Sequence, residues 1–339
     1  MMHTYNEIKN QAEQLRKTYE LLKEEAFNTG EVDQVIFTGC GTSFYLASSA
    51  ARYFQNTTGV FAAAVPASEL FLHASTWIIP GKNYLVVAIS RSGTTSEIIM
   101  ALDNLKENEQ IRTLAITCNG DTAMAEMADE VIALDHISEK SVVMTQSFSN
   151  MMYALQLYAV KWAESEQDLK ELSRIPDLVN ALIVSEEQTK VIAENLTKKR
   201  FIYLGSGQYN GLAKEATLKL KEMTQTECES YSSLEFRHGP ISIVDESTVV
   251  ILLAQKETAA FDQSLVKDIR RLGGYVLVIG PTNEDFEADQ LTRLTDEITD
   301  RNRYSLYVPL LQFLAYQRAV RLGFDPDQPR NLTQVVKLA

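Results

Sequence analysis

Apolar residues follow two different spacings along the chain, and the alternation between them predicts the order of helices and strands. Residues 5–27 carry apolar side chains every three or four positions, which is typical of an amphipathic helix. Gln34–Phe54 and Tyr84–Leu102 each begin with a continuous apolar run, pass through a glycine-containing loop and end with helical spacing. Each of these two segments therefore predicts a buried strand, a turn and a helix.

Further apolar runs extend the same arrangement. Ile111–Cys118 and Glu130–Asp135 predict two more buried strands, and Val142–Glu164 predicts a long helix. Continuous apolar strands that alternate with helices are typical of a parallel sheet covered on both faces. The pattern therefore predicts an α/β fold in which helices pack on both sides of a parallel sheet.

The same order of elements then starts again. Arg200–Glu222 repeats the strand, glycine turn and helix, with Gly205–Gly207 in the place of Gly39–Gly41. The apolar runs within Ser247–Gln255 and Gly273–Thr282 follow in the places of the next two strands. Three matched segments in the same order predict two similar α/β domains.

The chain length of 339 residues suits two domains of ordinary size. We predict a first domain, preceded by the N-terminal helix, within residues 1–170. Residues 171–339 are predicted to contain the second domain and the C-terminal tail, with linker helices near residues 165–197.

Composition limits the classes of function. The net charge of −13 argues against binding to nucleic acid or to an anionic membrane, because both require basic surfaces. No apolar run reaches the length of a membrane helix, and the polar N-terminus does not resemble a signal peptide. The three cysteines and four histidines are scattered, which predicts a reduced cytoplasmic protein without a dedicated metal site.

The motif Gly39–Ser43, "GCGTS", follows a strand and opens a helix. Free backbone N–H groups at a helix start attract anions, and Thr42 and Ser43 would add hydroxyl donors. A tight turn capped by Ser or Thr explains the motif equally well. Phe44 stands where a dinucleotide-binding fingerprint requires its third glycine.

The motif Ser90–Glu97, "SRSGTTSE", also follows an apolar strand and opens a helix. Two such loops at neighbouring parallel strands would line the crevice where open α/β sheets bind ligands. Capping of one helix needs only one or two hydroxyls, so the four in this loop favour a phosphate site. The donors are Ser90, Ser92, Thr94 and Thr95, whereas Arg91 could contribute charge or point to solvent. The second domain lacks this lining, so we expect only the first to bind phosphate.

The predicted helix near residues 210–223 places Glu215, Lys219 and Glu222 on one face. A solvated, ion-paired helix face is the ordinary explanation of such spacing. The following "EFRHGP" motif, however, places His238 in a constrained loop. A carboxylate and an imidazole are the groups needed to move a proton beside a carbonyl and to open a sugar ring.

Together, "GCGTS", "SRSGTTSE", "TLKLKE", "EFRHGP" and "DQPRNL" resemble the sugar isomerase (SIS) family. The resemblance extends over essentially the whole chain, and the isomerase half of glucosamine-6-phosphate synthases is the best-known relative. It implies two SIS domains, each a three-layer αβα sandwich, and a homodimer whose site is completed across subunits. It also implies a phosphorylated sugar or amino-sugar ligand. Because such a substrate carries its own carbonyl, we expect no cofactor.

The resemblance also implies roles for individual residues. Glu222 resembles the base that moves a proton between C1 and C2, and His238 the ring-opening residue supplied by the other subunit. Glu215 and Lys219 match supporting residues. The phosphate- and sugar-binding group comprises Thr42, Ser43, Ser90, Ser92 and Thr95, together with Arg91, whose backbone N–H would serve.

Departures from the synthase pattern change the expected reaction. We expect no glutaminase domain ahead of the isomerase-like part, and Gln334 stands where the synthase has its imine-forming lysine. Lys337 lies three positions later and would require the tail to rearrange. Ser141–Met151 resembles stand-alone family members that deaminate or deglycate phosphorylated sugars, and Glu139 could approach the sugar amine or act as a helix N-terminal acid.

We therefore expect an isomerase and deaminase that acts on an amino-sugar 6-phosphate and resembles glucosamine-6-phosphate deaminases. A fructosamine-6-phosphate deglycase and a plain aldose–ketose isomerase remain alternatives, because Glu222 and His238 would serve all three. A sensor that binds the sugar phosphate without chemistry is a further alternative. Such proteins usually carry a DNA-binding domain, which the sequence does not reveal.

Overall fold

The computed structural model describes residues 2–184, 186–336 and 338, and these residues form two compact units. The N-terminal unit comprises Asn10–Pro176 and the tail from Thr333 onward. The C-terminal unit comprises Asp177–Leu332 together with the start of the chain, including helix α1 (His3–Lys9).

Within its described residues, the N-terminal unit contains one five-stranded parallel sheet with the order β2-β1-β3-β4-β5. The strands are β1 (Gln34–Gly39), β2 (Ala62–Pro66), β3 (Tyr84–Ile89), β4 (Ile111–Thr117) and β5 (Glu130–Ala133). The helices are α2 (Gln11–Leu22), α3 (Thr42–Thr58), α4 (Ala67–Leu72), α5 (Ala74–Trp77), α6 (Ser96–Leu105), α7 (Ala123–Met127), α8 (Gln146–Trp162) and α9 (Glu166–Leu172). Helix α10 (Ile175–Ile183) contains the boundary between the units.

The described residues of the C-terminal unit form a second five-stranded parallel sheet with the order β7-β6-β8-β9-β10. Its strands are β6 (Arg200–Gly205), β7 (Cys228–Tyr231), β8 (Thr248–Leu253), β9 (Tyr275–Pro281) and β10 (Gln290–Leu294). Its helices are α11 (Glu187–Glu194), α12 (Gln208–Thr224), α13 (Ala259–Arg271), α14 (Asp300–Arg303) and α15 (Val308–Leu322), with short 3-10 helices at Glu235–Arg237, Pro240–Ile243 and Tyr304–Tyr307.

The central strands of both sheets are covered on both faces. Every residue of β3 and every residue of β8 is buried. Tyr84, Val86 and Ala88 of β3 lie on one face and pack in apolar clusters there, while Leu85, Val87 and Ile89 on the opposite face are buried as well. Each unit is thus a sheet with flanking helices, which confirms the predicted α/β sandwich.

The two units repeat the same topology and the same glycine turn. Gly41 and Gly207 precede α3 and α12 with φ values of 54° and 59°, in the left-handed region that favours glycine. A Cβ atom on either Gly39 or Gly205 would lie 2.5 Å from backbone atoms of the following helix. The predicted duplication is confirmed at this level of detail.

Three short strands, β2, β7 and β10, were missing from the sequence-based prediction. Strand β2 has the sequence "AAAVP", and alanine indicates strand only weakly, whereas β7 and β10 are rich in polar residues. The helix expected over residues 5–27 is divided at Asn10 into α1 and α2.

The two ends of the chain do not follow the predicted division at residue 170, since each end belongs to the unit formed by the opposite half of the chain. The carboxylate of Asp327 accepts hydrogen bonds from the backbone N–H groups of His3 (2.8 Å) and Thr4 (2.7 Å), which holds α1 in the C-terminal unit. The tail beyond Leu332 contacts loops of the N-terminal unit instead. Among the described residues, no helix has both the length and the apolar character needed to cross a membrane.

Candidate active site

The loop between β1 and α3 places Thr42 and Ser43, both buried, in the first turn of the helix. A Cβ atom on the preceding Gly41 would meet no other atom within 4 Å. The space beside this glycine is therefore open, and a ligand could approach the backbone closely. Because N–H groups of a first helical turn point outward along the axis, the loop suits an anion.

The loop between β3 and α6 holds its hydroxyl groups in a compact arrangement. The Ser90 and Thr95 hydroxyl oxygens lie 2.9 Å apart, and the Gly93 backbone N–H donates to Ser90 Oγ over 3.2 Å. Gly93 has a φ of 65°, and a Cβ atom there would collide with Thr122. The backbone N–H of Thr94 donates to Ser92 Oγ over 3.2 Å.

The two loops lie at the same edge of the N-terminal sheet. Strands β1 and β3 pair directly in parallel register, with Thr38 opposite Ala88. Their carboxyl ends are therefore neighbours, and the structure brings Thr42 and Ser43 to the same edge as Ser90, Ser92 and Thr95. Phosphate binding by these residues remains a prediction.

The guanidinium group of Arg91 is held by protein atoms of its own unit. It donates to Glu139 Oε2 over 2.8 Å and to the backbone oxygens of Ser141 (3.2 Å) and Val142 (3.0 Å). The side chains of Arg91 and Glu139 are only 12% and 2% exposed. The side chain of Arg91 therefore orders a neighbouring loop, and its backbone oxygen accepts from the Cys118 N–H, so a contact with the predicted ligand would come from its backbone N–H.

Glu139 caps helix α8 from outside the helix. Its Oε1 accepts hydrogen bonds from the backbone N–H groups of Thr145 (2.8 Å) and Ser147 (3.1 Å), and the hydroxyls of both residues also donate to this carboxylate. A carboxylate at a helix N-terminus satisfies unpaired N–H groups and complements the helix dipole. Of the two alternatives for Glu139, these contacts match the helix acid, and an approach to a sugar amine stays a prediction.

The tail reaches the same loop through Gln334. Its side-chain amide donates to the backbone oxygen of Ser141 over 3.0 Å, and its own backbone oxygen accepts from Arg91 over 3.1 Å. The residue at the expected imine-lysine position thus helps to fix the tail. Lys337, the other candidate in the tail, lies outside the described residues.

Helix α12 of the C-terminal unit carries the predicted acid–base residues. Lys219 Nζ lies 3.1 Å from Glu215 Oε1 and 2.8 Å from Glu222 Oε2. The side chain of Lys219 is 1% exposed and that of Glu215 is 5% exposed, whereas 18% of the Glu222 side chain is exposed. A solvated helix face would leave all three exposed, so the ordinary explanation of this pattern is wrong here.

Two opposing effects act on the pKa of Lys219. Burial by itself would lower the pKa, because a charged ammonium loses its hydration. The negative charges of Glu215 and Glu222, and their hydrogen bonds, outweigh this effect and raise the pKa above the ordinary lysine value. The two carboxylates thus favour the charged form of Lys219, whose ammonium contacts Glu222 from within the protein.

His238 lies between two 3-10 helices, Glu235–Arg237 and Pro240–Ile243. Gly239 follows it with a φ of 123°, and the buried ring of Phe236 anchors the loop from inside. The loop is constrained as predicted, and His238 itself is exposed.

Metal and thiol chemistry receive no support from the described part of the chain. It contains no group of three or more His, Cys, Asp or Glu residues able to hold a metal ion. Burial, with a smaller contribution from the charge of Glu97, raises the pKa of Cys40 to about 12. This thiol in the first loop is therefore neutral and a poor nucleophile near pH 7.

Comparison with known proteins identifies the fold family. The SIS domain matches residues 31–161 and 196–314, one match in each half of the chain. The chain belongs to the SIS domain family. The resemblance inferred from the sequence motifs is thereby confirmed, and both compact units contain one SIS domain.

Individual relatives cover nearly all of this SIS protein. It is 30% identical over 97% of its length to a glutamine–fructose-6-phosphate aminotransferase (isomerizing) of Sulfurisphaera tokodaii, and spans 54% of that relative. A glucosamine-6-phosphate deaminase of Thermotoga maritima has a similar structure, with 28% identity, a TM-score of 0.85 and coverage of 99% and 100% of the two chains. A tagatose-6-phosphate ketose/aldose isomerase of Escherichia coli shares the fold at 24% identity, with a TM-score of 0.87 and coverage of 99% and 96%.

The chain spans about half the length of the first aminotransferase relatives that it matches. The predicted site residues fall into two groups: the hydroxyl loops belong to the N-terminal SIS unit, and Glu222 and His238 belong to the C-terminal one. Sequence reasoning named the helix N-terminal role of Glu139 as one of two alternatives, but it missed the ion pair that joins Glu139 to Arg91. The two residues lie 48 positions apart, so no local pattern indicated their contact.

Proposed function

We propose that this SIS protein is a phosphosugar isomerase and deaminase that acts on an amino-sugar 6-phosphate such as glucosamine 6-phosphate. The observation that carries the proposal is the buried Lys219 ammonium, which lies 2.8 Å from the Glu222 carboxylate while 18% of the Glu222 side chain stays exposed. An oriented, accessible carboxylate is the group that proton transfer between carbon atoms requires.

The two hydroxyl loops would bind the phosphate. Thr42 and Ser43 present a helix N-terminus, and Ser90, Ser92 and Thr95 add hydroxyl donors at the same sheet edge. This arrangement needs no lysine or arginine side chain at the phosphate, which agrees with the use of the Arg91 guanidinium elsewhere.

Glu222 would then act as the base. His238 assists opening of the sugar ring, which exposes the C1 aldehyde of the 2-amino sugar. Glu222 removes the proton from C2 and returns it to C1, so that the amine at C2 becomes an imine. Water adds to C2, the C–N bond breaks, and ammonia leaves with the ketose 6-phosphate as the other product. The substrate supplies its own carbonyl, so the reaction needs no cofactor.

Similarity to the Thermotoga protein named as a glucosamine-6-phosphate deaminase supports an amino-sugar substrate. The proposed enzyme works in the cytoplasm as a homodimer, with His238 supplied by the partner subunit. A deglycase would use the same proton transfer but release an amino acid, so the identity of the amine distinguishes the two.

The test is incubation of the purified chain with glucosamine 6-phosphate or fructoselysine 6-phosphate, with ammonia and lysine measured separately. We expect ammonia from the first substrate and exchange of the C2 proton with D₂O. Release of lysine alone would assign a deglycase, and aldose–ketose interconversion without either amine would assign a plain isomerase.

Glu222→Gln tests the role of the base in the same assay. We expect the rate to fall by about 10²- to 10⁴-fold, the usual contribution of general base catalysis. The substrate should still raise the melting temperature of the variant, because the phosphate loops are intact. Glu227→Gln is the control, since Glu227 is exposed and lies just beyond the same helix. Binding of the substrate with no turnover by the wild type would instead indicate a sensor.

A further inference from the structure

The C-terminal unit contains a loop that corresponds to the proposed phosphate loop of the N-terminal unit. Strands β3 and β8 occupy the same position in the two sheet orders, and each is followed by a loop and a helix. In the C-terminal unit this loop is Gln255–Thr258, "QKET", which lacks the dense hydroxyl groups. The preceding Gly207 turn nevertheless has the conformation of the Gly41 turn.

Two backbone N–H groups of this loop already bind an anionic group, the side-chain carboxylate of Asp300. Lys256 and Glu257 donate to Asp300 Oδ2 over 2.6 and 3.3 Å. One carboxylate oxygen thus receives two consecutive backbone N–H groups, which is the way such loops hold a phosphate oxygen. Asp300 is distant in sequence from the loop, so the contact is not part of a local turn.

A buried cation balances the charge of Asp300. Arg303 Nη1 donates to Asp300 Oδ1 over 2.6 Å, and the Arg303 side chain is only 3% exposed. Its Nη2 donates to the backbone oxygen of Ile298 over 2.8 Å and lies 3.6 Å from Asp296. Both oxygens of Asp300 are therefore bound, one by the loop and one by Arg303.

A second buried carboxylate supports the same loop. Asp262, which is 1% exposed, accepts a hydrogen bond from the Thr258 hydroxyl over 2.5 Å. Successive residues of the loop thus direct their donors at side-chain carboxylates of the same chain.

We propose that the loop Gln255–Thr258, together with Arg303, is a second anion site whose resident ligand is the carboxylate of Asp300. The site takes a small carboxylate or another oxyanion when this side chain is removed. In the N-terminal unit, the corresponding loop is proposed to bind the phosphate of a substrate. In the C-terminal unit, the loop binds a carboxylate of its own chain. This inference does not depend on the reaction proposed above.

Asp300→Ala tests the proposal by chemical rescue, with acetate as the probe. In sodium chloride we expect the melting temperature to fall by about 6 to 12 °C, because Arg303 loses its buried partner. In sodium acetate at the same ionic strength, at least half of this loss should return. The recovery should grow with the logarithm of the acetate concentration, as for any ligand that binds only the folded state.

Three comparisons make the outcome decisive. The wild type should melt at the same temperature in both salts. Asp268→Ala should also show no difference between the salts, since it removes partly exposed ion pairs with Arg237 and Arg271 that lie outside the proposed site. Asp300→Asn should be destabilised without responding to acetate, because its amide still fills the site. Equal melting of Asp300→Ala in the two salts would overturn the proposal. If that variant is insoluble in chloride, recovery in acetate supports the site and insolubility in both salts refutes it.

Discussion

The ammonium group of Lys219 lies 2.8 Å from the carboxylate of Glu222, one turn further along helix α12, and 3.1 Å from Glu215 on the other side. One buried cation thus serves two carboxylates. Because the ammonium is 1% exposed, it owes its charged state to these partners rather than to water. The group carries a net charge of about −1 when all three side chains are ionised, and only Glu222 is partly open to solvent.

Replacement of Lys219 by Met should destabilise the protein strongly. The variant leaves a buried carboxylate without its counter-charge, and loss of one partner from a buried ion pair typically costs about 3–5 kcal/mol. Lys221→Met on the same helix is the matched control, because Lys221 is exposed and the change should stay within about 0.5 kcal/mol. Urea unfolding of both variants measures the difference, and similar losses would contradict a special role for Lys219.

The pair formed by Arg91 and Glu139 should contribute far more to stability than a similar pair on the surface. Glu139→Gln removes the charge that faces Arg91 and weakens the cap of α8, so we expect a loss of roughly 3 kcal/mol. The control is Glu130→Gln, since Glu130 pairs with Arg112 at 3.4 Å while both side chains are more than a quarter exposed. Exposed pairs of this kind contribute about 1 kcal/mol at most. Chemical denaturation of the two variants gives the comparison, and equal losses would argue against a structural cap at Glu139.

Asp262 should make the stability of the protein depend on pH. Burial raises the pKa of Asp262 to about 6 from its ordinary value of 3.8, although the hydrogen bonds from Thr258 and Gln255 oppose the change. The folded state therefore binds the proton more tightly than the unfolded state. The resulting destabilisation is absent below about pH 4, grows as the pH rises, and is complete above about pH 6.

Asp262→Asn should remove this dependence. At pH 7 we expect the variant to be more stable than the wild type by about 2–3 kcal/mol, and at pH 4 the two should be similar. Asp285→Asn serves as the control because the Asp285 side chain is 97% exposed. Unfolding free energies measured between pH 4 and pH 7.5 test the prediction, and a constant difference across that range would contradict it.

The parts of the fold that were predictable from sequence are those that bury continuous apolar runs. Strands β1, β3, β4, β6, β8 and β9 begin within one or two residues of their predicted positions, because their side chains face helices on both sides. Strand β2, "AAAVP", was not recognised, since small residues show neither strand spacing nor strand propensity. Its place in the sheet depends on pairing with β1, which is a tertiary contact.

In the candidate site, too, local sequence patterns predict some features, whereas others depend on tertiary contacts. The order of strands and loops predicts that Thr42 and Ser90 lie at one sheet edge, because parallel neighbours share their carboxyl ends. Helical spacing predicts the Glu215–Lys219–Glu222 group but not its burial, which results from packing around α12. The contacts of Asp300 with Lys256 and of Gln334 with Arg91 join residues far apart in sequence, and no local pattern indicates them.

Mixing two inactive variants tests the proposed exchange of His238 between subunits. Glu222→Gln and His238→Ala should each be nearly inactive if both groups serve one reaction. In a mixed dimer, the intact Glu222 of one chain and the intact His238 of the other would meet in one of the two sites. Half of the dimers are mixed after random reassortment, so about a quarter of the wild-type activity should return. The measurement is turnover of glucosamine 6-phosphate after the two variants are unfolded and refolded together. Each variant refolded alone is the control, and activity that never exceeds their sum would place both residues in a site formed by a single chain.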